Sequence, residues 1–227
     1  MPAPTHRLPV PRRALLRAAL GGFGMATTLA ACTTPAPPPD PTGRSTSMNT
    51  PPAGPVLLAY FSRAGENYYY GGRRTLQLGN TEVLAGMIAE RIDCDVYRIE
   101  EAEPYPVDYD ETVERNVAEQ DADARPAIAH PLPDLTGYAT VLVGSGIWNV
   151  RAPMIMSTFL EALDFTGTTI LPFTTQAMSG LGTVPRDYTA LAPTATIGPG
   201  LAVRGEEVRD AAADTEQWLG QVGLLDR

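Results

Sequence analysis

From Pro55 to Val222, short apolar runs alternate with amphipathic stretches, and this alternation limits the fold more than any other feature of the 227-residue chain. The runs PVLLAYF, CDVYRIE, ATVLVGS, GTTILPFTTQ and ATIGPGLAVR have strand length, and the most apolar of them suit burial on both faces of a parallel sheet. Between them, NTEVLAGMIAERID reads as an amphipathic helix with Asn80 as its N-cap and Val83, Met87 and Ile88 on one face. PMIMSTFLEALD and GEEVRDAAADTEQWLGQV read as further helices, and the acidic stretch PYPVDYDETVERNVAEQDADARP as a solvated one. Five strands alternating with helices predict an α/β three-layer sandwich, a five-stranded parallel sheet with helices on both faces. Right-handed crossovers gather the strand-to-helix loops at the carboxyl edge, where such sheets bind ligands.

Three loops meet at that edge. The first, SRAGENYYYGGRRTLQLGNT, is far longer than the usual connection of about 2–6 residues. It runs into a helix N-terminus, where free N–H groups and the helix dipole favour an anion, and it brings the hydroxyls of Ser62 and Thr81 and the amide of Asn80. A phosphate suits it. The loop is neither G-x-x-x-x-G-K-[ST] nor G-x-G-x-x-G, so it signals neither a nucleoside triphosphate nor a dinucleotide. The second loop, SGIWNVRAP, places Trp148 between backbone amides, a pairing suited to a flat heterocycle with polar edges, although a lone tryptophan also serves as core filler. The third, TTQAMSGLGTVPRD, has small residues at Ser179, Gly180 and Gly182 that let backbone approach a ligand closely.

Composition narrows the function classes. The chain is 44% hydrophobic, enough for one core, and its folded part is expected over residues 55–227. After Met48 stand 12 basic and 25 acidic residues, a balance that repels nucleic acid and anionic membrane. Cys32 and Cys94 are too few for a disulfide framework, and no Cys or His cluster has the spacing of a zinc site. The histidines are His6 and His130. The latter lies in the loop HPLPD, reads as a surface residue, and has no G-x-S-x-G elbow to accompany it in Ser-His catalysis.

The first 54 residues read as an address. PRRALLRAALGGFGMATTLAAC has the adjacent Arg12 and Arg13, an apolar run and then small residues up to Cys32. The arginine pair resembles a twin-arginine export signal, and Leu29–Ala30–Ala31–Cys32 resembles a bacterial lipobox in which Cys32 is lipidated. Residues 1–32 are then a signal and 33–54 a Pro-, Thr- and Ser-rich tether, so the only membrane contact is a lipid anchor in the cell envelope. Translation from Met48 would instead leave a cytoplasmic protein.

The motifs YFSRAGEN, GNTEVLAGMIAE, EPYPVDYDE, DARPAIAHPLPDL, GIW and TFLEALDFTGTTILPF, followed by SGLG, together resemble the flavodoxin-like family from about Val56 to Arg204. The resemblance implies a flavodoxin-like sheet and non-covalent flavin mononucleotide (FMN). Ser62, Arg63, Ala64, Asn80 and Thr81 would hold its phosphate. Ser145, Gly146, Ile147, Trp148 and Asn149 would line one side of its ring, and Thr175, Gln176, Ser179 and Gly180 would close the other. Relatives often carry a tyrosine-proline pair before Ile-Trp, where this chain reads SGIWN. The resemblance implies an electron carrier serving a redox partner protein or a small acceptor. A flavin-dependent quinone reductase using a nicotinamide donor and a flavin-free surface binding module are the alternatives. Tyr68, Tyr69, Tyr70, Arg73 and Arg74 would cover the flavin, meet a partner or pack the insertion.

Overall fold

A computed structural model describes residues 54–225. The expected signal, tether and lipidation site at Cys32 lie outside the described residues. The central sheet is parallel, with strands β1 (Val56–Phe61), β4 (Asp95–Ile99), β5 (Thr140–Gly146), β6 (Thr169–Gln176), β7 (Thr196–Ile197) and β8 (Leu201–Arg204). Their order is β4-β1-β5-β6-β7, and β8 also pairs with β6. β7 lies against Thr169 and Ile170, and β8 against Phe173–Gln176. The run read as one strand, ATIGPGLAVR, is therefore a single edge position broken at Gly198–Pro199–Gly200, where proline has no N–H for a ladder. Counted by position, the sheet has the five strands expected.

β1 is buried at every residue, and alternate side chains enter different cores. Leu57, Ala59 and Phe61 face helices α3 (Met154–Glu161) and α4 (Val184–Leu191), packing with Ile155, Met156, Phe159, Leu160 and Tyr188. Val56, Leu58 and Tyr60 face α1 (Asn80–Ala89) and α5 (Ala212–Gln221), packing with Leu84, Ala85, Ile88, Trp218 and Leu219. Each large side chain so buried contributes about 1.5–3 kcal/mol relative to exposure. A 3-10 helix, Gly205–Asp210, takes up the start of the stretch read as one closing helix.

Helix α1 differs from expectation in two ways. Its buried face is Thr81, Leu84, Ala85 and Ile88, the i, i+3, i+4, i+7 set, with Val83 and Met87 on the flank. Its N-cap is Gly79, with Asn80 already helical. Glycine has no capping oxygen, so Ser62 supplies one from across the loop: its Oγ accepts from the Glu82 N–H at 3.0 Å. Gly79 has to be glycine, because a Cβ there would lie 2.3 Å from Ser62 Oγ and 2.4 Å from the Arg63 carbonyl oxygen.

The long first loop is structured. β2 (Gly65–Tyr69) and β3 (Gly72–Leu76) pair as an antiparallel hairpin, turning at Tyr70 and Gly71, both at positive φ (46° and 85°). Two left-handed residues make the tight turn whose twist matches the strands it joins. One side of the hairpin is tied to α2 (Tyr109–Asp121). Arg73 lies 3.7 Å over the Tyr109 ring and 3.2 Å from Asp110, and the Tyr109 N–H donates to Glu66. At its tip the Tyr70 N–H donates to Glu206 Oε1 at 3.2 Å.

Candidate functional site

A cleft of about 480 Å³ opens at the carboxyl edge of β1, β5, β6 and β8. Its volume lies in the range of small-molecule sites, about 300–1,000 Å³. One end is the start of α1. The Asn80 and Thr81 N–H groups belong to the first turn of that helix, which has no intrahelical acceptors for them, and Ser62 stands beside it. Thr81 Oγ1 lies 2.8 Å from Thr175 Oγ1, joining the first loop to the end of β6. Two hydroxyls sharing one bond leave one proton free to donate.

The other end is built around Trp148. Its ring meets Phe61 and Tyr105 edge to face, with centroids 5.7 Å and 5.0 Å away. The Tyr105 hydroxyl donates to Glu119 at 2.7 Å, and Arg115 both pairs with Glu119 at 2.8 Å and covers the Tyr105 ring at 3.9 Å. Burial, followed by the bond to Glu119, pushes the Tyr105 phenol far above its ordinary range. Trp148 opens a two-residue turn in which its N–H donates to Arg151 at 2.8 Å, while Asn149 and Val150 take positive φ (52° and 63°). Gln120 fastens this turn to α2, donating to the Trp148 carbonyl at 3.2 Å and accepting from the Asn149 amide at 3.1 Å.

Of the residues named from the sequence, the structure brings Ser62, Arg63, Asn80, Thr81, Gly146, Ile147, Trp148, Asn149, Thr175 and Gln176 to the lining. Arg63 is already engaged there: its guanidinium donates to the Pro106 carbonyl at 2.8 Å and to those of Val107 and Glu66, and burial lowers its pKa. It pins the hairpin base. Ala64 lies outside the lining, and Ser145 is wholly buried within β5. Ser179 and Gly180 form a turn outside the lining, where the Gly180 carbonyl accepts from Thr174 at 3.2 Å. His130 is elsewhere, on the surface 2.7 Å from Glu100.

Sequence reading missed one wall. Helix α2 presents Tyr109, Thr112, Val113, Asn116 and Val117 to the cleft, spaced i, i+3, i+4, i+7, i+8. That spacing is visible in YDETVERNV, but Thr112 and Asn116 interrupt its apolar residues, so the stripe lacks the apolar signature of a packed face. Asn67 of the hairpin and Glu206 were missed as well, while Tyr68, one of the insertion residues given three possible roles, reaches the lining.

Two buried oxygens of the lining, Gln176 Oε1 and Glu206 Oε2, lack hydrogen-bond partners. Buried polar atoms normally have partners, so these two oxygens suit donors from a ligand or from water. Among the described residues no group of three or more His, Cys, Asp and Glu is placed to hold a metal ion, and no helix is long and apolar enough to cross a membrane.

An edge cleft joining a helix N-terminus to a tryptophan-bearing loop defines a parallel α/β ligand-binding protein. Residues 75–222 match the flavodoxin family, and the chain belongs to that family. A candidate flavoprotein from Bacteroides uniformis is similar at 28% identity, covering 74% of this chain and 99% of its own, with a TM-score of 0.59. A second, from Bacteroides eggerthii, is 25% identical over 75% of this chain and 98% of its own, with a TM-score of 0.58. A Lactobacillus acidophilus flavoprotein in complex with FMN shares the fold at 18% identity and a TM-score of 0.51, over 70% of this chain and 98% of its own. No curated protein matches the chain.

Proposed function

We propose that the protein binds FMN in the edge cleft and carries electrons. The observation that carries this reading is the pairing, in one cavity, of the free N–H groups of α1 with Trp148 and the backbone of its turn. The residues fit the group: the cavity is large enough, one end suits an anion, and the orphaned Gln176 oxygen suits a ligand N–H or O–H. Membership in the flavodoxin family and the FMN complex of the Lactobacillus protein support it. Bound flavin supplies the electron chemistry. The chain's own residues bind and orient: Asn80, Thr81 and Ser62 at the phosphate end, Trp148 and Ile147 at the ring end, α2 as the wall that limits water. No side-chain acid or base is required, which agrees with His130 lying away from the cleft.

We further propose that the chain works outside the cytoplasm, anchored by lipid at Cys32 and reached by a partner protein or small acceptor. The paired arginines and the LAAC sequence support this. Twin-arginine export moves folded proteins, so it suits a cofactor loaded beforehand. A Cys32→Ala variant should leave the membrane fraction; retention there would rule out the anchor.

A second reading, a flavin-dependent reductase of quinones using a nicotinamide donor, is favoured by Met178, 81% exposed at the cleft, which leaves that side open to a small acceptor. NADPH oxidation by the purified protein separates the two. For the flavin itself, the visible spectrum of the full chain after expression with riboflavin should show flavin bands that travel with the protein. A colourless protein that also ignores added FMN points to the flavin-free binding module.

A further inference from the structure

Glu206 lines the cleft and follows directly on the residue that abuts its anion-binding end. Its neighbour Gly205 lies so close to Asn80 that a Cβ there would sit 2.5 Å from the side-chain amide nitrogen of Asn80, so Gly205 and Glu206 abut the start of α1. Glu206 Oε1 accepts the Tyr70 N–H at 3.2 Å, while Oε2 is buried with no partner. Nearby cations are engaged elsewhere. Arg63 donates to three backbone carbonyls, and Arg204 lies 3.7 Å from Glu207 and 5.8 Å over the Tyr70 ring. Gln176 Oε1, the second unpartnered oxygen of the cleft, belongs to the β6 residue that pairs with Arg204, just before Gly205.

These two oxygens ask for hydrogen-bond donors. A fully ionised phosphate has only acceptors and carries the same sign of charge as Glu206, whereas a hydroxyl both donates and is neutral. The helix N-terminus and Glu206 therefore pull in opposite directions on the same part of a ligand. We infer that Glu206 is a specificity-determining residue at the 5′ end of the flavin, favouring a hydroxyl there and opposing a phosphate dianion. The inference rests on the flavin reading. It means that the cleft separates FMN from riboflavin less sharply than its helix N-terminus alone would.

The test is fluorescence titration of the full-length protein, Glu206→Gln and Glu207→Gln with FMN and with riboflavin at pH 8 and low salt. Glutamine keeps the size of the side chain and an acceptor for the Tyr70 N–H, and the thermal midpoint of each variant checks folding. Glu206→Gln should tighten FMN about tenfold, since one unit charge leaves the vicinity of the phosphate. It should leave riboflavin within about twofold, as a neutral ligand loses no repulsion. Glu207→Gln removes the same charge from an exposed neighbour and should move the FMN-to-riboflavin ratio by less than about twofold, because solvent screens it. An unchanged ratio in Glu206→Gln, or weaker FMN binding with riboflavin retained, overturns the inference. Failure of the unaltered protein to bind either flavin overturns the flavin reading itself, and this inference with it.

Discussion

Thr81 Oγ1 and Thr175 Oγ1 stand 2.8 Å apart, both buried, 94 residues apart in the chain. This bond fixes the start of α1 against the end of β6. It thereby sets the spacing of two of the loops that form the cleft. Thr81→Val should cost about 1–3 kcal/mol, because it leaves the Thr175 hydroxyl buried without its partner. Adding Thr175→Val should recover part of that loss. Urea denaturation of the two single variants and the double variant reads the coupling; additive losses would show that the hydroxyls do not act as a pair.

Two glycines of one neighbourhood should respond oppositely to alanine. At Gly79 the new methyl would overlap Ser62 and the Arg63 carbonyl, so Gly79→Ala should destabilise by about 1–3 kcal/mol and weaken any ligand held at the start of α1. Gly86 lies exposed in the same helix with nothing within 4 Å of the added atom, so Gly86→Ala should stabilise by about 0.5–1 kcal/mol. Thermal midpoints of the two variants check the signs.

Val150 holds a β-branched side chain at φ 63°, a conformation costly for such residues, and that side chain is 55% exposed. Val150→Gly should therefore stabilise the fold by about 1 kcal/mol or slightly less, the relieved strain exceeding the added chain entropy. Its carbonyl would still accept the Thr183 N–H. A loss of stability in urea would mean that the valine side chain packs more than its exposure suggests.

The Tyr105 phenol sets an alkaline limit. Its folded pKa is raised, so the stability that comes with its neutral form is fully present below the unfolded value of about 10 and declines as pH rises above it. Tyr105→Phe should cost about 1 kcal/mol at neutral pH through the lost bond to Glu119 and should flatten the decline above about pH 10. Thermal midpoints from pH 7 to 11 test both halves.

The centre of the sheet was legible because β1, β5 and β6 are buried on both faces and read as unbroken apolar runs. The loops at its edge were legible as far as β1, β5 and β6 were, since parallel topology alone brings Ser62, Gly146 and Thr175 together. The hairpin was not legible, because Tyr68, Tyr69, Arg73 and Arg74 show neither alternation nor the usual Asn-Gly turn. Nor was the wall from α2, whose inward valines are interrupted by Thr112 and Asn116 and whose neighbours are acidic. Glu206 escaped for a different reason. Its place depends on the break between β7 and β8 and on the close approach of Gly205 to Asn80, neither of which has a signature in the sequence.

FMN binding at the start of α1 is tested most directly by titrating the full chain with FMN while following flavin fluorescence, alongside a Thr81→Phe variant whose ring would fill the anion-binding end. Saturable quenching at one flavin per chain is expected, with affinity reduced at least tenfold in the variant. Unaltered affinity in Thr81→Phe, or no quenching by the unaltered protein, would contradict FMN binding there.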